Sequence, residues 1–129
     1  MNRRIATVLV LALCLACIVT TASVFGAEKK QFVLGINNYA DNHEFCYKVH
    51  QNIEQWAKKY NIKTVYAEAA MEPEKVKANL DTFALQGVDA IFEFNWLTDV
   101  TAKWIKDNPG IVVITGDYVV PGAYYFGAN

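Results

Sequence analysis

Arginine is missing after position 4 of this 129-residue chain, cysteine occurs once after position 17, and serine occurs only at Ser23. The single later cysteine, Cys46, cannot form an internal disulfide, so a folded domain needs a hydrophobic core for its stability. The formal net charge of −1 and the lack of arginine argue against nucleic-acid binding, which requires a basic face. A serine nucleophile is excluded from the chain after Ser23.

The sequence also lacks the common phosphate and metal motifs. No G-x-G-x-x-G follows the first predicted strand and no G-x-x-x-x-G-K-[ST] occurs, so the chain lacks the usual glycine-rich loops that bind nucleotide phosphates. His43 and His50 lie too far apart on one predicted helix to share a metal ion, which favours capping or surface roles. No base is recognisable beside Cys46, which favours buried packing over catalysis. We predict neither a metal site nor a cofactor.

The first 26 residues have the pattern of a secretory signal peptide. Arg3 and Arg4 form a basic start, residues 5–19 are an almost unbroken apolar run, and Val24 and Gly26 occupy the −3 and −1 positions of a cleavage site. This run is short for a membrane span of about 20 residues, so removal is favoured over a retained anchor. We therefore predict a periplasmic or secreted protein. Lipoprotein anchoring is less favoured, because neither early cysteine follows a good lipobox.

Residues 27–129 alternate strands and helices in the order βαβαβαβ, followed by one more strand. Short apolar runs predict the strands, and apolar residues at helical spacing predict the helices. Helices that connect consecutive strands produce a parallel sheet with right-handed crossovers. We predict an α/β fold with three layers, a mostly parallel sheet flanked by helices on both faces. The predicted strands are 32–36, 63–67, 88–94, 111–115 and 123–127, and the helices begin near residues 43, 73 and 98.

Four predicted loops follow the carboxyl ends of the strands and meet at one edge of such a sheet, where ligands bind in open α/β folds. None of the four contains lysine or arginine. Their amides and carboxylates can hydrogen-bond hydroxyl groups, and their rings can cover C–H surfaces, which suits a neutral polyhydroxylated ligand such as a sugar. The loops hold Asn37, Asn38, Tyr39, Asp41, Asn42, Glu68, Glu72, Asn95, Trp96, Asp99, Asp117 and Tyr118, with Phe45 just inside the first helix.

Two features of these loops allow more than one interpretation. Trp96 follows the third strand, where it either contacts a ligand or covers the edge of the sheet. Asp41 and Glu44 are close enough in sequence for acid–base catalysis, although helix capping and a solvated face are the favoured interpretation. Asp41 or Asn42 is expected to cap the first helix, and Thr98 or Asp99 the third.

Three stretches resemble the type I periplasmic substrate-binding proteins of sugar ABC transporters, the ribose-binding-like family. They are FVLGINNYADNHEF, LQGVDAIFEFN, and IVVITGDY with the closing YYFGAN. The resemblance extends over residues 30–129 and implies a non-catalytic receptor that delivers solute to an ABC permease of the inner membrane. Family members have two α/β lobes and are much longer, so the resemblance implies that residues 27–129 are the N-terminal lobe alone.

The resemblance also implies ligand contacts. The asparagine and the aromatic residue of the family's first loop match Asn42 and Phe45. The polar position after the third strand falls near Asn95, and the aspartate after the fourth strand matches Asp117. Residues that the family commonly has nearby are replaced, for example by Tyr118, which leaves the ligand's identity open. With the loop aromatics added, the predicted ligand-binding residues are Tyr39, Asn42, Phe45, Asn95, Trp96 and Asp117.

The sequence thus predicts a solute receptor that is not an enzyme and does not bind nucleic acid. The alternative is a periplasmic ligand-sensing input domain for a histidine kinase or chemoreceptor, which requires a retained membrane segment. A repressor effector domain of the same fold would start with a DNA-binding helix pair instead of an export signal. We expect one lobe to bind its ligand weakly, because it offers half of a cleft, and its last strand to be an exposed edge that favours association.

Overall fold

The computed structural model describes residues 30–94 and 96–127. The predicted signal peptide and Asn95 lie outside the described residues. From Gln31 onward the described chain forms one compact unit. Its elements are β1 (Val33–Asn38), α1 (Glu44–Lys59), β2 (Lys63–Glu68), α2 (Pro73–Leu85), β3 (Ala90–Phe94), α3 (Thr98–Asp107), β4 (Val112–Gly116) and β5 (Tyr124–Phe126).

The five strands form one parallel sheet in the order β2-β1-β3-β4-β5. Their register aligns side chains in rows across the sheet. Ile36 of β1 lies between Tyr66 of β2 and Phe92 of β3. The row continues from Phe92 to Ile114 of β4 and then to Tyr124 of β5. Because all strands are parallel, their carboxyl ends reach the same edge, and the predicted α/β fold with a parallel sheet is confirmed.

The hydrophobic core fills the space between one face of the sheet and helices α2 and α3. Pro73 starts α2 at a position where its missing N–H costs no helical hydrogen bond. Val76, Leu80 and Phe83 follow at helical spacing and are buried. Gly35 of β1 lies beneath Phe83, since a Cβ at Gly35 would be 2.9 Å from the ring. The core consists of Ala69, Val76, Leu80, Phe83, Val88, Ile91, Trp104 and Val113.

Helix α1 lies on the opposite face, so helices flank the sheet on both faces as predicted. Phe45 of α1 contacts Phe94 of β3, with ring centroids 5.8 Å apart. Phe94 projects from the face opposite Ile91, because side chains alternate along a strand. Of the 16 described residues of α1, two are buried, Cys46 and Ala57. The face under α1 is therefore much less covered than the face under α2 and α3.

The first loop and the helix starts differ from the prediction. Strand β1 extends to Asn38, so Asn37 and Asn38 are buried in the sheet instead of lying in a loop. The N-cap of α1 is His43, whose ring contacts Cys46 Sγ, and the expected caps Asp41 and Asn42 do not fill that position.

The N-cap of α3 is Leu97, so the prediction of Thr98 or Asp99 is displaced by one or two residues. Thr98 already belongs to the helix, and its N–H donates to the carbonyl of Trp96 at 2.8 Å.

Strand β5 is an edge of the sheet, as predicted for the last strand, and all three of its residues are exposed. Within residues 30–94 and 96–127, none of the helices combines the length and apolar character needed to cross a bilayer. The other edge, β2, is more polar at its ends, with Lys63 and Glu68 exposed.

Candidate functional site

A pocket of about 200 Å³ lies at the carboxyl edge of the sheet, on the side of α1. The β1–α1 loop, the first turn of α1, the end of β3 and the segments after β3 and β4 all contribute to it. Its volume is below the about 300–1,000 Å³ that is usual for small-molecule sites. The lining residues are Tyr39, His43, Phe45, Cys46, Phe94, Trp96, Asp117 and Tyr118.

Tyr39, Phe45, Trp96 and Asp117 were predicted from the sequence, and the structure brings all four together around this pocket. Asn42 is exposed and does not belong to the described lining. Asn95 lies outside the described residues. That the four gathered residues contact a ligand stays a prediction, as do the roles of the two asparagines.

Four lining residues were absent from the predicted ligand-binding set. His43 and Cys46 are three positions apart at the start of α1, so both face the pocket from one side of the helix. That spacing is visible in the sequence and could have indicated them. Phe94 is the last residue of an apolar strand, and Tyr118 follows Asp117 in a predicted loop. Nothing local shows that either residue turns toward α1.

The aromatic walls of the pocket are inclined to one another. The rings of Tyr39 and Trp96 meet edge to face, with centroids 3.9 Å apart and an angle of 71° between their planes. Phe45 and Phe94 form a second pair at 5.8 Å and 57°. Edge-to-face contacts are favourable because the positive edge of one ring meets the negative face of the other. The pocket is therefore surrounded by rings in several orientations.

The packing of Gly116 and the backbone conformation of Asp117 at the end of β4 fix the position of Asp117. Gly116 packs against Phe92 and Phe94, and a Cβ there would lie 2.9 Å from both rings. Asp117 follows with φ of 73°, in the left-handed region that few residues other than glycine adopt. Aspartate tolerates this conformation better than most side chains. Such backbone outliers concentrate at functional sites, which supports a role for this exposed carboxylate.

Cys46 is buried beside His43, with 3.5 Å between Sγ and Nδ1. Burial raises the pKa of the Cys46 thiol, backbone hydrogen bonds oppose this, and the carboxylates of Asp117 and Asp41 raise it further. The thiol is therefore less acidic than an ordinary cysteine, whereas a nucleophilic cysteine needs a lowered pKa. This agrees with the predicted packing role.

Asp41 connects the first loop to β2 through hydrogen bonds. Its Oδ1 accepts hydrogen bonds from the hydroxyl of Tyr66 and from Asn38 Nδ2, the latter at 2.9 Å. Its own N–H donates to Glu68 Oε1 at 2.7 Å. Burial and the bond to Asp41 raise the pKa of Tyr66. Glu44 instead forms an ion pair with Lys48 at the surface, at 2.6 Å.

Glu93 lies on the other face of β3, away from this pocket, and is fully buried. Its Oε2 accepts a hydrogen bond from Asn37 Nδ2 at 2.9 Å, and Asn79 Nδ2 donates to Asn37 Oδ1 at 2.8 Å. Burial raises the pKa of Glu93 to about 8, against the opposing effect of the Asn37 bond. The described residues contain no group of three or more histidines, cysteines or acids arranged for a metal ion.

No family model and no curated protein matches the sequence, whereas solved structures match its fold. An ABC sugar transporter subunit from Rhodobacter sphaeroides has a TM-score of 0.70 and 22% identity over 76% of this chain and 36% of its own. A Mycobacterium smegmatis protein in complex with β-D-fucofuranose has a TM-score of 0.63 and 25% identity, with coverages of 75% and 34%. Transcription regulator CcpA of Lactococcus lactis has a TM-score of 0.66 and 15% identity, with coverages of 76% and 36%.

This chain thus spans about a third of the length of the solved proteins that it matches. They include a sugar transporter subunit and a transcription regulator. The likeness confirms the resemblance found in the sequence. The described residues have the fold of one lobe of the type I periplasmic binding proteins, which sugar-transporter subunits share with transcription regulators.

Proposed function

We propose that this chain is the binding lobe of an ABC import receptor and that its pocket reversibly binds a neutral polar small molecule, a sugar. The observation that carries the proposal is that three loops and the start of α1 bring Tyr39, Phe45, Trp96 and Asp117 around one pocket. The described lining contains no lysine or arginine, so His43 is the only described lining residue that could pair with an anionic ligand as a cation. The matched sugar transporter subunit and the fucofuranose complex give additional support.

The chemistry of the pocket fits reversible sugar binding. The carboxylate of Asp117 can accept hydrogen bonds from two ligand hydroxyls, and charged acceptors form the stronger bonds. The rings of Tyr39, Phe45 and Trp96 can cover the C–H surface of a sugar and exclude water from it. Such contacts are numerous and individually weak, so the ligand is released again without a covalent step.

To test the contribution of Trp96, the purified chain is titrated with a panel of pentoses and hexoses, and heteronuclear NMR monitors binding. For the sugar that binds, Trp96→Ala is expected to raise the dissociation constant about tenfold, which corresponds to about 1.4 kcal/mol. Trp56→Ala is the matched control, because Trp56 is a similarly exposed tryptophan of α1 outside the pocket. Equal effects of the two substitutions, or no bound sugar, would overturn the proposal.

Export and the ABC permease as partner also belong to this proposal. Cell fractionation is expected to place the protein outside the cytoplasmic membrane, and sequencing of its amino terminus is expected to start near Ala27. A protein that keeps residues 5–19 in the membrane would instead favour the ligand-sensing input domain. Loss of sugar uptake on deletion of the neighbouring permease, with binding intact, would support transport.

A further inference from the structure

We propose that this pocket prefers a sugar that carries one protonated amino group over the same sugar without it. The inference rests on the proposed sugar binding at this site and revises one part of it, because the preferred sugar carries a positive charge. Three observations carry it. They are the inclined aromatic rings, the single carboxylate among the described lining residues, and the acidic character of the surrounding edge.

The aromatic walls suit a compact cation. Five of the eight lining residues are phenylalanine, tyrosine or tryptophan. The face of each ring is negative, so an ammonium group within about 6 Å of a ring centroid is attracted to it. The rings of the two pairs are inclined by 71° and 57°, so they present faces in several directions around the pocket. The rings that can cover the C–H surface of a sugar can therefore also contact an ammonium group that the sugar carries.

Asp117 supplies the matching charge. It is the only acidic residue among the described lining residues, and no lysine or arginine accompanies it there. An ammonium group bound by the rings could therefore donate a charge-assisted hydrogen bond to this carboxylate, which is stronger than a bond between neutral groups. A neutral hydroxyl in the same place would form a weaker hydrogen bond with this carboxylate.

The surroundings of the pocket are also acidic. Asp41, Glu68 and Asp99 lie in the loops of this edge or in the first turn of α3, and the four loops contain no basic residue. Lys48, in α1, and Lys75, in the first turn of α2, form ion pairs with Glu44 and Glu72. Clefts with charges of one sign attract ligands of the opposite sign.

Two further facts bear on the potential in the pocket. Helices α1, α2 and α3 all begin at this edge, and their amino termini carry partial positive charge, which opposes a cation. Acidic residues in the first turns, Glu44, Glu74 and Asp99, offset that charge. The carboxylates of Asp117 and Asp41 also raise the pKa of the Cys46 thiol, as expected where the potential is negative.

The test compares matched sugars at pH 7 by NMR titration, which detects millimolar dissociation constants. The probes are D-glucosamine, N-acetyl-D-glucosamine and D-glucose, with D-galactosamine and D-galactose as a second pair. We expect each amino sugar to bind about five- to tenfold more tightly than its neutral counterpart, with the preference declining at high salt. N-acetyl-D-glucosamine, which is uncharged, is expected to behave like D-glucose.

Asp117→Asn separates charge from shape. Asparagine adopts the left-handed conformation at least as readily as aspartate, so this variant should keep the fold. In this variant, we expect the dissociation constants for D-glucose and D-glucosamine to become about equal. Asp99→Asn, which removes an acid of the same edge outside the described lining, should retain most of the preference.

The outcomes distinguish this inference from the function on which it rests. If neutral sugars bind as tightly as amino sugars, or if the preference persists in Asp117→Asn, the inference is wrong and sugar binding stands. If N-acetyl-D-glucosamine binds as well as D-glucosamine, the amino group acts through shape and the inference is wrong. If no sugar binds at millimolar concentration, the proposed function fails and the inference fails with it.

Discussion

Glu93 is the least expected residue of the sheet, because a buried carboxyl group in a central strand is costly unless it is neutral or paired. Asn37 donates to its Oε2, while within the described structure its Oε1 and the neighbouring Thr115 Oγ1 have no hydrogen-bond partner. With its pKa raised to about 8, Glu93 is mostly protonated at neutral pH in the folded protein. Its burial therefore links stability to pH.

The sign of this linkage follows from the two pKa values. The unfolded chain releases the Glu93 proton near pH 4.5 and the folded chain near pH 8, so the folded state binds the proton more tightly. The contribution of Glu93 to stability is thus fully present below pH 4.5 and is lost as pH rises to about 8. We expect Glu93→Gln to be about as stable as the parent at pH 5 and more stable, by on the order of 1–3 kcal/mol, at pH 7.5.

Urea unfolding at both pH values measures the two free energies. The glutamine variant keeps an acceptor for Asn37 and cannot ionise, so it isolates the effect of charge. Glu68→Gln is a control, since Glu68 is an exposed acid at the end of β2. The difference in free energy of unfolding between Glu93→Gln and the parent should grow from pH 5 to pH 7.5. An unchanged difference would contradict this account.

Helix α1 and strand β5 together leave a large apolar surface exposed. An apolar groove of about 460 Å³ lies between them, lined by Ile53, Trp56 and Tyr60 of α1 and by Phe92 and Phe126 of the sheet. The exposed fraction is 65% for Tyr60 and 74% for Phe126. Contiguous apolar patches of this kind, beside an edge strand, favour association in solution.

We expect the purified chain to associate as its concentration rises, and Phe126→Lys to weaken this association because it places a charge on the edge strand. Analytical ultracentrifugation over a concentration series measures the mean mass. Leu85→Lys is the matched control, since Leu85 is 89% exposed and ends α2 on the other face of the sheet. If both substitutions have the same effect, association does not involve the β5 edge.

At the scale of the whole molecule, the proposed ligand site is expected to be incomplete. The pocket volume of about 200 Å³ is below the usual range for small-molecule sites, and the chain spans about a third of the length of its structural neighbours. A ligand held on one side stays largely in water, so fewer contacts oppose the entropy lost on binding. The number of contacts depends on how much of the ligand the whole protein covers, and no single residue determines it.

We therefore expect the exported chain by itself to bind sugars with a dissociation constant weaker than about 1 µM, which is about −8 kcal/mol. Isothermal titration calorimetry with the sugar identified by NMR gives the value. Addition of a second lobe, taken from a longer homologue, should tighten binding. Submicromolar binding by the chain alone would show that this lobe holds a complete site.

The order and type of the secondary-structure elements followed from the sequence, because local patterns encode them. Apolar runs, helical spacing and the turn residues around them depend on near neighbours only, and they indicated every strand and helix of the described chain. Parallel connections then implied a shared loop edge that holds Tyr39, Trp96 and Asp117, with Phe45 beside it, and the structure places these four around one pocket. The predicted ligand contacts of Phe45 and Asp117 came from the resemblance to a known family. The boundaries were less accurate because burial in the sheet drew Asn37 and Asn38 into β1.

Only the tertiary structure decided which side chains meet. His43, Cys46 and Phe94 join the pocket because the first turn of α1 lies near the end of β3, where Phe45 contacts Phe94. Asn42 stays outside because Asp41, not Asn42, anchors the loop to β2. The sequence by itself determined a loop edge without lysine or arginine, since that requires only the positions of the loops that follow the predicted strands. The orientation of its rings and the partial volume of its pocket depend on contacts between residues far apart in the chain, which no local pattern encodes.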